Sequence, residues 1–215
     1  NLPIRPPIRA RSILAGKRSD GRTLLAAAEG YELLACYGIP VARYRLVGSA
    51  AEGAAAAEQI GYPVVMKVDA ETLVHKTESG GVVLGIRDGR VLREHADRLL
   101  SRFAEASPRL LIQEQLAGGR EVIVGAKAVP GLGHIVMFGL GGIYTEVLKD
   151  ASFKLTPVLP AEAREMIAGL RASPVLTGAR GQAGVDVVAL AESIQRVSQM
   201  LIDHPEICEL DITPV

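Results

Sequence analysis

Two textures meet near residue 108, and together they predict two sheets rather than one. Upstream, helical spacing alternates with short apolar runs: a helix over 24–37 stopped by Gly38-Ile39-Pro40, a strand at 44–47, an alanine-rich helix over 50–60 and a strand at 64–68. A further strand at 82–86 and an amphipathic helix over 92–106 follow, with Asp88-Gly89 between them reading as a hairpin signal. Downstream, strands at 110–115, 121–129 and 134–138 succeed one another across turns alone, before helices over 161–170 and 190–203 and a closing strand at 208–212. The first half is β-α-β in order; the second is an antiparallel sheet with helices added.

Composition narrows the class. At 215 residues and 48% hydrophobic the chain is long enough to bury a core of one domain or two lobes. Lys plus Arg (24) equals Asp plus Glu (24), so no overall basic field draws in nucleic acid or an anionic membrane. No apolar stretch reaches the roughly 20 residues of a membrane helix. Cys36 and Cys208 lack the spacing of a disulfide scaffold or a CxxC site, which points to a reducing cytoplasm. Residues 1–22, rich in Arg and Pro at their start, read as a linker from an upstream domain.

Candidate chemistry begins at Lys67, near the end of an apolar strand, where a buried ammonium must reach an anion or a polar partner, or snorkel to water. Eight residues on, His75-Lys76-Thr77-Glu78-Ser79-Gly80-Gly81 forms a small-residue loop whose amides and hydroxyls suit phosphate oxygens. It is neither a GxxxxGK[ST] loop nor a GxGxxG fingerprint. His75 is the loop's one side chain able to accept a phosphoryl group near neutral pH; the alternative is a solvated loop histidine. Glu114 and Glu121 flank the Gly118-Gly119 turn, either as acceptors for a base amino group and ribose hydroxyls or as solvated turn acids. A glycine loop, Gly139-Leu140-Gly141-Gly142, precedes Glu146, Lys149 and Asp150.

In this order the blocks YPVVMKV at 62–68, VHKTESGGV at 74–82, GGREVIVGAK at 118–127, MFGLGGIYTEVLKDASFKLTPV at 137–158, GARG at 178–181 and ELDITPV at 209–215 closely resemble the ATP-grasp domain of the ADP-forming acetyl-CoA and acyl-CoA synthetases, relatives of the succinyl-CoA synthetase β subunit. The resemblance implies an α+β ATP-grasp fold of two α/β lobes with a nucleotide cleft between them: 23–43 and 113–215 as the larger lobe, 44–112 as the smaller. It assigns Lys67 to the nucleotide phosphates with Gly80 and Gly81, Glu114 and the Leu116 backbone to adenine, Glu121 to ribose, and His75 to a phosphohistidine relay. ATP or ADP and Mg²⁺ are the implied cofactors, and CoA-binding and CoA-ligase domains, on the same or another chain, the implied partners.

Two positions depart from the family pattern. Thr213 stands where the family has an asparagine that helps hold magnesium, leaving Asp211 as the carboxylate of a weakened pair. Tyr31 stands where the first helix often carries a lysine. The first departure supports a competing reading, a degenerate ATP-grasp module that senses or scaffolds within a synthetase-like or acetyltransferase fusion protein.

Overall fold

The computed structural model describes residues 6–19, 21–70, 80–141, 150–178 and 183–212, and divides the chain into two compact units. One gathers Ile8–Cys36 and Pro40–Ala117; the other Asn1–Pro7, Tyr37–Ile39 and Gly118–Val215.

The first unit is a four-stranded antiparallel sheet of β1 (Tyr44–Val47), β2 (Val64–Asp69), β3 (Val82–Ile86) and β4 (Arg109–Glu114) in the order β1-β4-β2-β3. Helix α3 (Ala50–Ile60) joins β1 to β2 and α4 (Gly89–Arg102) joins β3 to β4, and each crossover skips one strand. Strand alternation sends Val64, Met66 and Val68 to one face, where they pack with Ile86, Leu110, Ile112, Ala57, Leu92 and Leu99. The other face carries Lys67, Asp69 and Gln113 and receives α2 (Ala27–Cys36), whose first amide, Ala27 N–H, donates to Asp69 Oδ1 at 2.9 Å.

Several expectations change here. Asp88 does not open a hairpin: its carboxylate accepts from the amides of Arg90 and Val91, both at 2.9 Å, and so caps α4. An extended Asp beside Gly serves either purpose, and the apolar stripe that follows decides for the helix. The stretch read as irregular linker contains α1 (Ile8–Ser19), which buries Ala10, Ile13 and Leu14 on one side and pairs Arg9 with Glu32 of α2. The 10, 13, 14 spacing is helical, but it is short and lies among arginines and prolines. Residues 23–36, 40–43 and 113–117, allotted above to the larger lobe, likewise belong to this first unit, and the strand read over 110–115 is β4 of this first sheet rather than part of the second, because it pairs with β1 and β2.

The second unit is a four-stranded antiparallel sheet in the order β7-β6-β5-β8: β5 (Val122–Val129), β6 (Gly133–Leu140), β7 (Ala151–Leu155) and β8 (Glu209–Ile212). Val122, Val124, Val136, Phe138 and Leu140 face α5 (Pro160–Ala168) and α7 (Val187–Asp203), which supply Met166, Ile167, Ile194, Val197 and Leu201. Strand β7 and the short helix α6 (Ser173–Thr177) escape the periodicity. Lys154 on β7 turns toward α5, reaching Glu165 at 3.1 Å and Glu162 at 3.7 Å, while Phe153 and Leu155 are exposed on the opposite face. Buried His134 donates from Nε2 to the Ile207 carbonyl at 2.7 Å, holding the approach to β8.

Candidate nucleotide-binding site

Lys67 lies third from the end of β2, opposite Leu111 of β4 and, on the last rung shared with β3, opposite Val82. Next to it the Val68 amide donates to the Gly81 carbonyl at 2.8 Å, so Gly80 and Gly81 arrive directly beside the lysine. Gly80 has a φ of 71°, a left-handed conformation that favours glycine, while a Cβ there would meet only the movable Arg102 guanidinium. The Lys67 ammonium is half-buried on the face covered by α2 and donates to the Tyr31 hydroxyl at 3.3 Å. That hydroxyl in turn donates to Gln113 Oε1 at 3.3 Å, while the Tyr31 ring stands edge-on to Tyr44 with centroids 5.1 Å apart.

Glu114 lies across from Val64, three residues along β2 from Lys67. At about 3.3 Å per residue that separation is about 10 Å, comparable to the span from a nucleotide's base to its outer phosphates. Its carboxylate receives a two-pronged contact from Arg43, Nη2 to Oε1 at 2.9 Å and Nε to Oε2 at 3.0 Å. This fork holds the Glu114 carboxyl below the usual glutamate range and raises Arg43 in return. A carboxylate has lone pairs beyond the two Arg43 uses, so acceptor capacity remains. Leu116 follows the strand end and is 72% exposed.

In the second unit, exposed Glu121 stands one residue before β5, and its carbonyl accepts from the Gly141 amide at 2.7 Å. A Cβ at Gly141 would meet Glu121 Cβ at 3.0 Å, so this glycine of the predicted loop is needed for a close approach of chains. Asp211 on β8 pairs with Gly125, four residues along β5 from Glu121 or about 13 Å at 3.3 Å per residue. An open groove of about 440 Å³ borders the Gly118-Gly119-Arg120 turn, with Ala183, Gly184 and Val185 opposite.

The structure thus brings Lys67, Gly80 and Gly81 together, sets Glu114 at the end of β4 in the same sheet, where alternation gives it the Val64 face while Gln113 shares the Lys67 face, and carries Glu121 and Asp211 on the other sheet. His75 and Thr213 lie outside the described residues. Among the described residues no three His, Cys, Asp or Glu side chains gather as a metal-holding group. Magnesium is commonly held by one or two carboxylates with nucleotide phosphates and water completing its shell, and the Asp211 carboxylate is a donor of that kind for a metal delivered with its nucleotide. Asp150, which the sequence placed after the glycine loop, is structural. Burial works to raise its carboxyl, but the amides of Ala172 (2.8 Å) and Arg171 (3.0 Å), with the Arg171 guanidinium, outweigh that and lower it while bracing the turn that leads into α6.

Arg43 and Gln113 were not singled out as site residues by sequence reasoning. Arg43 faces Glu114 through the β1–β4 pairing across 71 residues of chain, and no local signal marks it. Tyr31 had one, its departure from the family lysine.

The family described as ATP-grasp domain matches residues 16–215 of this chain. The ADP-forming 4-hydroxybutyrate–CoA ligase of Nitrosopumilus maritimus is 39% identical over 96% of this chain, which spans only 30% of that ligase. The beta subunit of the ADP-forming acetate–CoA ligase I of Pyrococcus furiosus is 38% identical, over 96% of this chain and 91% of the subunit. Among solved structures, the dinucleotide forming acetyl-coenzyme A synthetase 1 of Ca. Korarchaeum cryptofilum, in complex with coenzyme A, Ca-AMPCP and HgCl+, superposes with a TM-score of 0.89 at 33% identity, covering 96% of this chain and 92% of that one. The same enzyme with coenzyme A and Mg-AMPPCP, its phosphohistidine segment pointing towards the nucleotide binding site, gives a TM-score of 0.80 at 33% identity over the same shares.

Proposed function

Since this chain belongs to the ATP-grasp domain family, in the form shared with ADP-forming CoA ligases, we propose that it is the nucleotide-binding part of an ADP-forming acyl-CoA synthetase. It exchanges a phosphoryl group between ATP or ADP and a histidine relay that ends in acyl-CoA. The observation that carries this reading is the seating of Lys67 against Gly80-Gly81: a cation and a glycine turn sit together at the end of one sheet, where the outer phosphates of a nucleotide extending from Glu114 and Leu116 would lie.

Phosphoryl transfer draws its rate from in-line placement and from charge held around the equatorial oxygens. A histidine nitrogen attacks the γ-phosphorus, the bond from phosphorus to the β–γ bridging oxygen breaks, and ADP leaves with the electron pair; the reverse step makes ATP. His75 takes the nucleophile's place on the strength of the VHKTESGG block. Lys67 holds charge on the phosphates, Glu114 and the Leu116 backbone hold adenine, and Glu121 holds ribose. Mg²⁺, held through Asp211 and Thr213, would neutralise phosphate charge when bound. The acyl and CoA contacts belong to CoA-binding and CoA-ligase domains on the same or another chain. Cys36 and Cys208 are both free thiols, which suits a reducing cytoplasm.

Incubating the full-length protein and its partner domains with γ-labelled ATP and magnesium should give an acid-labile label that His75→Ala abolishes. A label that persists in His75→Ala removes this histidine from the relay, and a metal-replete protein that takes up no label argues against transfer altogether. Thr213 favours a second reading, a sensing or scaffolding module; that module binds nucleotide without magnesium dependence and takes up no label.

A further inference from the structure

We propose that the Tyr31 hydroxyl is a positioning group for Lys67, holding its ammonium over the sheet so that it meets nucleotide phosphate already placed. The inference rests on the site reading above, in which Lys67 binds phosphate.

The donor and acceptor inventory fixes the polarity of the contact. An ammonium only donates, so Tyr31 must accept from Lys67, and its single proton is left for Gln113 Oε1. The chain of bonds therefore runs one way, from Lys67 through Tyr31 to Gln113. Both of its outer members are on strands: Lys67 on β2, and Gln113 on β4, paired to Tyr44 on one side and Val65 on the other. Tyr31 itself is held independently of its hydroxyl. Its ring stands against Tyr44, the Tyr44 hydroxyl donates to the Ala28 carbonyl at 3.4 Å, and the Asp69 carboxylate anchors the start of α2. The hydroxyl is thus a fixed point rather than one more mobile group.

One of the three ammonium protons goes to Tyr31, and two remain for phosphate oxygens. A lysine in open solvent would have to surrender its rotamer freedom at the moment of binding; this one is already tethered. A lysine at position 31 would set a second ammonium beside Lys67, whereas tyrosine offers a neutral acceptor in the same place.

The test is a titration of ATP, ADP and adenosine into the full-length protein and its Tyr31→Phe, Lys67→Ala and double variants. Phenylalanine keeps the ring contact with Tyr44 and removes only the oxygen. Tyr31→Phe should weaken ATP and ADP roughly three- to tenfold, the scale of one net hydrogen bond. Adenosine, which brings no phosphate, should bind unchanged, and the loss should vanish in the Lys67→Ala background. Equal weakening of adenosine, or a loss that adds fully to that of Lys67→Ala, would make Tyr31 a merely structural residue and overturn the proposal. If Lys67→Ala weakens the nucleotides and Tyr31→Phe does not, the positioning role alone fails. If Lys67→Ala leaves them intact, the phosphate role of Lys67 fails and the inference goes with it. Should Tyr31→Phe not fold, Gln113→Leu reads the far end of the relay: a phosphate-specific loss upholds the proposal and an unchanged affinity overturns it.

Discussion

Arg43 and Glu114 show how a single pairing sets a residue's chemistry. The antiparallel register lays Tyr44 against Gln113, so the next residues out meet: the Glu114 amide donates to the Arg43 carbonyl at 2.8 Å while their side chains form a fork. Because Arg43 lowers the folded-state pKa of Glu114 below its unfolded value, this contact stabilises the fold fully above the ordinary glutamate range of about pH 4. It is lost as pH falls through the lowered value. Glu114→Gln should therefore flatten the acid limb of the stability profile while leaving its shape above about pH 6 unchanged, as urea melts across pH would record. Guanidinium also holds the carboxylate in one orientation, so Arg43→Ala should weaken adenosine as well as ATP, unlike Tyr31→Phe. Among the candidate residues, Lys67, Gly80, Gly81, Glu114 and Glu121 could be named from their local spelling, since a strand-end lysine and a glycine turn carry their own physical meaning. Arg43 was not, because its partner is 71 residues away.

The elements themselves follow local rules closely. The strands at Tyr44–Val47 and Val82–Ile86 and the helix at Ala50–Ile60 match the bounds that alternation and helical spacing predict. Three helix starts are capped by side chains: Ser49 Oγ accepts from the Glu52 amide at 3.2 Å, Asp88 caps α4, and Asp186 accepts from Val188 and Ala189 at the start of α7. Asp88→Ala should cost about 1 kcal/mol, seen as a lower urea midpoint with an unchanged slope. Strand β7 went unread because Ala151–Leu155 is short and its polar face is covered by an acidic helix, so Lys154 there does not signal an outward surface. Between α6 and α7 the approach is tighter still. A Cβ at Gly184 would fall 2.5 Å from the Thr177 carbonyl oxygen, beside the Val185-to-Leu176 backbone bond of 2.7 Å. Backbone cannot swing aside as a side chain can, so Gly184→Ala should destabilise the second unit by about 1–3 kcal/mol, measurable by urea denaturation.

At the scale of the whole molecule, each unit has its own sheet and its own buried helices. A ligand that binds only the folded protein stabilises it by mass action, and ADP with magnesium at about one hundred times its dissociation constant should add about 2.7 kcal/mol. The same nucleotide concentration should give Lys67→Ala a much smaller rise in melting temperature, while the unliganded melting temperatures of variant and parent stay close. A rise as large in the variant as in the parent would take Lys67 out of the site.

Periodicity, turn residues and six ordered blocks were enough, by themselves, to determine the kinds of element, nearly all of their order, and the family, because each depends on neighbours within a turn or a strand. Only the tertiary structure decided that Tyr31, Lys67 and Gln113 form one directed chain of bonds, that Arg43 forks Glu114, and that residues 8–19 close onto α2. Those contacts join positions distant along the chain. They exist only once strand register and helix docking have set which side chains share a face.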